Sequence, residues 1–205
     1  MGTLLSIAKS PEVDVIVDFV QSLKPRETLE VGSNFSRELK FLEKLTKIYG
    51  IDKDAEKIKV AQTYAKGIFK VADASFIPYR SNRFDLVYTS GVLCHNPAEK
   101  IADYINEMFR VSKKYILIVE YVGSHLSKNI VGNCKQNTWV HDYDLLVSKL
   151  DVIIKYNQKK FFGTDCFQVV LLEKVLQPRI TQNVFIEPKA SRFMLKLGKY
   201  KMEIK

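Results

Sequence analysis

Leu29-Glu-Val-Gly-Ser-Asn-Phe-Ser-Arg37 compresses the end of a strand, a sharp turn and the start of a helix into nine residues. Thr28 to Val31 reads as the strand. Gly32 lets the backbone turn closely under a ligand, and Phe35, Leu39, Leu42 and Leu45 mark one face of the helix that follows. About twenty residues on, Tyr49-Gly-Ile-Asp52 ends a second strand with a carboxylate, a distance that suits an acid binding both hydroxyls of an adenosine ribose. A third strand, Ile68 to Val71, leads into Ala72-Asp-Ala-Ser75, where Asp73 and the backbone at Ala74 can meet an adenine edge. Three successive strand ends thus offer a turn, an acid and another acid.

The pattern continues in both directions. Ser10-Pro11 followed by Val13, Ile16, Val17 and Val20 predicts a lead-in helix that stops at Lys24-Pro25. Lys47 to Ile51 is the second strand and Lys53 to Ala65 the helix after it. Phe84-Asp-Leu-Val-Tyr-Thr89 is a fourth strand, and Asn96-Pro97 opens a helix carrying Ile101, Tyr104, Ile105, Met108 and Phe109. Tyr115-Ile-Leu-Ile-Val119 has the unbroken apolar run of a strand buried on both faces. After a loop over residues 122–138 come a helix around Tyr143 to Leu150 and two strands, Val152 to Tyr156 and Phe167 to Leu172, joined through Gly163. Alternating strands and helices predict an α/β, Rossmann-like fold. Its mainly parallel, seven-stranded sheet closes with an antiparallel hairpin and takes ligands at the carboxyl ends of its strands. The expected organisation is a lead-in helix over 1–24, a ligand-binding domain over 25–176 and an extension over 177–205.

Composition narrows the function classes. At 205 residues, 46% hydrophobic and 27% charged, the chain is ordinary globular material with enough length for a sizeable core. No run of 18 apolar residues predicts a transmembrane helix, and the first ten residues lack the pattern of a secretory leader, so a cytoplasmic protein without a membrane partner is expected. Cys94, Cys134 and Cys166 are odd in number and far apart, which suggests neither a disulfide framework nor a metal site. The net charge of +9 is uneven: residues 177–205 carry +5 of it, on seven basic and two acidic side chains. A basic tail on a near-neutral body is the outcome.

The first turn also discriminates between adenosine ligands. A dinucleotide fingerprint would place glycines at Gly32, Asn34 and Arg37, and two of the three are absent. Glu30 adds negative charge where a diphosphate would lie. S-adenosylmethionine bears an ammonium and a sulfonium and no phosphate, so the electrostatics favour it over NAD.

From Pro25 to Lys174 the chain resembles the class I S-adenosylmethionine-dependent methyltransferases. The resemblance implies that Glu30, Gly32 and Asn34 line the methionine part of the cofactor. It also implies that Asp52 binds the ribose, that Asp73 and Ala74 meet the adenine, and that Ser90, closing the fourth-strand motif Phe84-Asp-Leu-Val-Tyr-Thr-Ser90, is a further cofactor-binding residue. That family's turn usually has glycine where this chain has Asn34 and Ser36; asparagine tolerates positive φ, so the turn is expected to persist. A narrower resemblance runs through Thr89-Ser-Gly-Val-Leu-Cys-His-Asn-Pro97, Ser112-Lys-Lys-Tyr-Ile116, Glu120-Tyr121 and Trp139-Val-His-Asp-Tyr143. In these the chain is similar to the methylases associated with pseudaminic acid biosynthesis, which implies a small sugar or nucleotide sugar as acceptor, of the nonulosonate type found in surface-glycan biosynthesis.

On the acceptor side, His95 follows the fourth strand. It reads either as a general base or as a helix-entry and substrate-shaping residue. Glu120 and Tyr121 end the fifth strand, where they could bind substrate hydroxyls. His125 and His141 read as loop residues or satisfied hydrogen-bond partners, and Trp139 as a packing residue or a sugar platform. Two rival functions stand beside the sugar reading. One is an RNA or other nucleic-acid methyltransferase that grips phosphates with the basic tail, although the Asn/Asp-Pro-Pro-aromatic segment common in base-amine methylation is replaced by Thr89-Ser-Gly-Val-Leu-Cys94. The other is a catalytically silent cofactor-binding subunit. Val184, Phe185, Ile186, Phe193, Met194 and Leu195 suggest that the tail docks on its own domain or on a second copy, making a homo-oligomer.

Overall fold

The computed structural model describes residues 11–124, 134–135, 138–162, 165–175, 193–197 and 200–204. Helix α1 (Pro11–Leu23) leads into β1 (Glu27–Val31), α2 (Arg37–Leu42), β2 (Lys47–Asp52), α3 (Ala55–Tyr64) and β3 (Gly67–Val71). Then follow β4 (Phe84–Ser90), a single 3-10 turn (Leu93–His95), α4 (Ala98–Val111) and β5 (Ser112–Ser124). A small pair, β6 (Cys134–Lys135) and β7 (Thr138–Trp139), precedes α5 (Tyr143–Val147), β8 (Val152–Phe162) and β9 (Asp165–Lys174).

The seven-stranded sheet has the order β3-β2-β1-β4-β5-β9-β8. β9 runs antiparallel to both its neighbours, and the other pairings are parallel. This is the expected α/β sheet with its closing hairpin. Period-two alternation divides the strand side chains between two packed faces. Leu29, Val31, Val87, Ile116 and Ile118 meet Ile101, Ile105 and Met108 of α4 and Tyr143 of α5. Leu86, Tyr88, Leu117 and Val119 belong to the opposite core, with Val13, Ile16 and Val20 of α1, Leu39 and Leu42 of α2, and Ile58 of α3. The lead-in helix is therefore a structural layer: Ile16 is fully buried, and α1 packs against α2.

Several boundaries differ from expectation. The helix after the first turn lasts only six residues, ending at Leu42. β5 continues to Ser124, into the stretch expected to be loop, because β9 pairs with it as far as Asp165. β8 likewise continues past Tyr156 to Phe162, matched along its length by β9. Leu176–Lys205 is a compact unit apart from the unit ending at Val175, and in it β10 (Phe193–Leu197) pairs antiparallel with β11 (Tyr200–Ile204). The sequence reading named no strands there. Val184, Phe185 and Ile186, read as docking residues, lie outside the described residues, as does His125.

Candidate functional site

A cavity of about 410 Å³ opens at the carboxyl ends of β1 to β4. The first turn contributes Glu30, Gly32 and Asn34 to its walls, and the second contributes Asp52. The third contributes Asp73 and Ala74, and the fourth Ser90 and His95. Every cofactor residue expected from the sequence thus converges on one space. Glu38 of α2 and Tyr104 of α4 also line it, and neither was singled out from the sequence.

The first turn keeps a glycine-like backbone with few glycines. Gly32 has φ +78°, Asn34 φ +48° and Ser36 φ +59°. The left-handed conformation therefore occurs at both positions where glycine is replaced. Gly32 serves a neighbour as well as the cavity: a Cβ there would sit 2.5 Å and 2.6 Å from the two γ-carbons of Val92. The N–H groups of Gly32 and Ser33 both donate to the Ile51 carbonyl at 2.8 Å, which pins the turn to β2. Asp52 joins the turns directly. Its Oδ2 accepts the Asn34 N–H and its Oδ1 the Asp54 N–H, each at 3.0 Å.

Glu30 points towards the α1–α2 face, in register with Tyr88 across β1 and β4. It is 2% exposed, and its Oε2 has no hydrogen-bond partner. Burial first, then repulsion from Glu38 and Asp52, pushes its carboxyl well above the ordinary carboxylate range, while the Tyr88 hydroxyl works in the other direction. Burial also raises Glu38, helped by Glu12 of α1. Asp73 behaves oppositely. Burial opposes its ionisation, but the Ser75 hydroxyl and N–H, at 2.7 Å and 2.8 Å, with Lys100 and Lys53 nearby, hold it below the ordinary range.

The acceptor side requires corrections. Glu120, expected to bind substrate hydroxyls, is fully buried and does not line the cavity. One oxygen accepts from the Thr89 hydroxyl at 3.0 Å and the Val92 N–H at 3.1 Å; the other accepts from the Cys94 N–H at 3.2 Å. The reason is strand parity: with Ile116 and Ile118, it faces the α4–α5 core and braces the loop after β4. Tyr121 also lies outside the lining, packed edge-on against Phe167 with ring centres 5.9 Å apart. His141, read as a loop residue or a satisfied partner, is the latter: it is buried, with Nε2 3.1 Å from the Leu93 carbonyl and 3.0 Å from that of Asn96. Two carbonyl partners require that this nitrogen carry the proton. His95 is exposed on the loop that Glu120 and His141 hold, and Trp139 is half-buried.

These groups suit a ligand with a cationic end and an adenosine end. A buried carboxyl with one unsatisfied oxygen suits a cation, and Asp52 and Asp73 stand at the next two strand ends. Residues 29–119 match a family model described as a methyltransferase domain. A SAM-dependent methyltransferase from Methanosarcina mazei is similar in fold, at 20% identity and a TM-score of 0.63 over 79% of this chain and 98% of that one. Magnesium protoporphyrin IX methyltransferase from Synechocystis PCC 6803, crystallised with bound SAM, has 14% identity and a TM-score of 0.62, covering 80% of this chain and 78% of its own. A SAM-dependent methyltransferase from Aquifex aeolicus has 18% identity and a TM-score of 0.58, over 78% and 89%.

Proposed function

We propose that this chain, whose residues 29–119 match a methyltransferase-domain model, is an S-adenosylmethionine-dependent methyltransferase and that its acceptor is a small sugar or nucleotide sugar of the nonulosonate type. The observation behind the cofactor site is the buried carboxyl of Glu30, one oxygen of which has no hydrogen-bond partner, in a cavity that also has Asp52 and Asp73 among its walls. The acceptor class rests on the resemblance carried by residues 89–97, 112–121 and 139–143. When bound, the cofactor supplies a methyl group on a positively charged sulfur that leaves as a neutral thioether.

The chain's own residues then have separable tasks. Gly32 and Asn34 shape the wall beside the cofactor's methionine part, and Glu30 holds its ammonium. Asp52 takes the ribose hydroxyls while tying together the two turns. Asp73 and the backbone of Ala74 receive the adenine edge. Ser90 completes the cofactor wall, and His95 faces the acceptor and removes the proton of an acceptor hydroxyl. Most of the rate comes from alignment of the acceptor oxygen, which the braced loop after β4 provides.

The test is transfer of labelled methyl from S-adenosylmethionine to a panel of nucleotide sugars and nonulosonates, run beside total RNA. Labelled sugar is the expected result. Labelled RNA would replace this reading with the nucleic-acid one, and cofactor binding without any transfer in cell extracts would favour the silent subunit.

A further inference from the structure

Glu30 and Glu38 leave an anionic surplus at one end of the cavity. Glu38 sits in the first turn of α2, half-buried, and lines the same space as Glu30. Among the charged groups that act most strongly on the pair, acids outnumber bases, while Lys53 and Lys57 line the same cavity. Glu12 of α1 and Asp52 of β2 add negative charge, Tyr88 of β4 offers a hydroxyl, and Arg37 is the cation acting on Glu38. One oxygen of Glu30, buried in the cavity wall, has no partner at all. Two repelling carboxylates, one of them unsatisfied, are stable together only if a proton or a ligand cation lies between them.

We propose that Glu38 is a second cofactor-binding carboxylate, which with Glu30 encloses the α-ammonium at the methionine end of S-adenosylmethionine. The assignment rests on the cofactor reading above and adds a residue to it. It also explains why β1 tolerates a buried acid at Glu30: the ligand completes the charge balance that folding leaves open. Because the carboxyls resist ionisation in the free protein, cofactor binding releases a proton as the ammonium arrives. This release fades as pH rises to where both acids are already charged.

The experiment compares two ligands by calorimetry: S-adenosylhomocysteine, which keeps the amino-acid end, and 5′-methylthioadenosine, which lacks it. Glu38→Gln should weaken the first by about tenfold or more and leave the second within about twofold. Glu38→Asp should recover part of the loss and serves equally if the glutamine variant does not fold. Titrations of the wild type in buffers of different ionisation enthalpy should show proton release with S-adenosylhomocysteine and none with 5′-methylthioadenosine. Equal weakening of both ligands would mean that Glu38 merely supports the turn, and unchanged affinity for both would also overturn the assignment. Failure of the wild type to bind either ligand would be a different result: it removes the cofactor reading itself, and the Glu38 assignment with it.

Discussion

Ser36 holds φ +59° with a buried hydroxyl that has no partner, and its side chain does not cap α2. A left-handed conformation costs a non-glycine residue roughly 1–2 kcal/mol. Ser36→Gly should therefore stabilise the chain by about 0.5–1 kcal/mol, once the extra freedom of glycine in the unfolded chain is discounted. Urea denaturation would measure this; a loss of stability would show that the hydroxyl has a partner. Glu30 makes the opposite compromise. Its folded-state pKa lies above the unfolded value, so its stabilising contribution is complete below about pH 4.5 and is lost as pH rises through the folded-state value. Glu30→Gln should remove that pH dependence and raise the Tm of the cofactor-free protein near neutral pH by about 2–4 °C, the shift expected for 1 kcal/mol in a chain of this size. It should also abolish the thermal shift produced by S-adenosylhomocysteine. At this scale Gly32, Asp52 and Asp73 were legible because spacing after a strand reports a strand end directly. Glu38 was not, because it lies within α2, where spacing from a strand end does not report which side chains reach the cavity. Glu120 was misread because parity within β5, not nearness to the strand's end, decides which way it points.

The loop after β4 is organised by two buried groups contributed from other elements, Glu120 of β5 and His141 ahead of α5. Replacing Glu120 by glutamine retains the shape but turns one acceptor into a donor, leaving at least one of the Thr89, Val92 and Cys94 donors without its bond. The expected destabilisation is about 1–3 kcal/mol. If the loop positions His95, methyl transfer should also slow, while affinity for S-adenosylhomocysteine changes little. Denaturation, calorimetry and turnover measured on one preparation would separate these effects, and loss of cofactor affinity equal to the loss of rate would argue against positioning. Element type was readable wherever apolar residues repeat, as in α1, α4 and β5. The far half of β8 was hidden because Asn157-Gln-Lys-Lys160 has no apolar alternation; its strand conformation comes from pairing with β9.

Across the whole molecule, most of the site lies between β1 and the loop after β4, while more than half of the net positive charge lies in residues 177–205. A chain ending at Val175 retains every strand of the main sheet and every cavity residue. It should fold and bind S-adenosylhomocysteine within about twofold of the full chain. Gel shifts with RNA at two salt concentrations would show whether the removed segment has a nucleic-acid role: tail-dependent binding that falls steeply with salt would favour RNA over sugar. The position of β8 has one further consequence. Eleven residues long, it ends the order of the main sheet, and among the described residues no strand pairs with its outer side. Such an edge can recruit a neighbouring chain, strand by strand, into a growing fibril. Lys155, Lys159 and Lys160 place positive charges along it, so two copies of this edge repel before their backbones can pair. Acetylation of these lysines would remove that barrier, and the protein would then begin to aggregate while still folded.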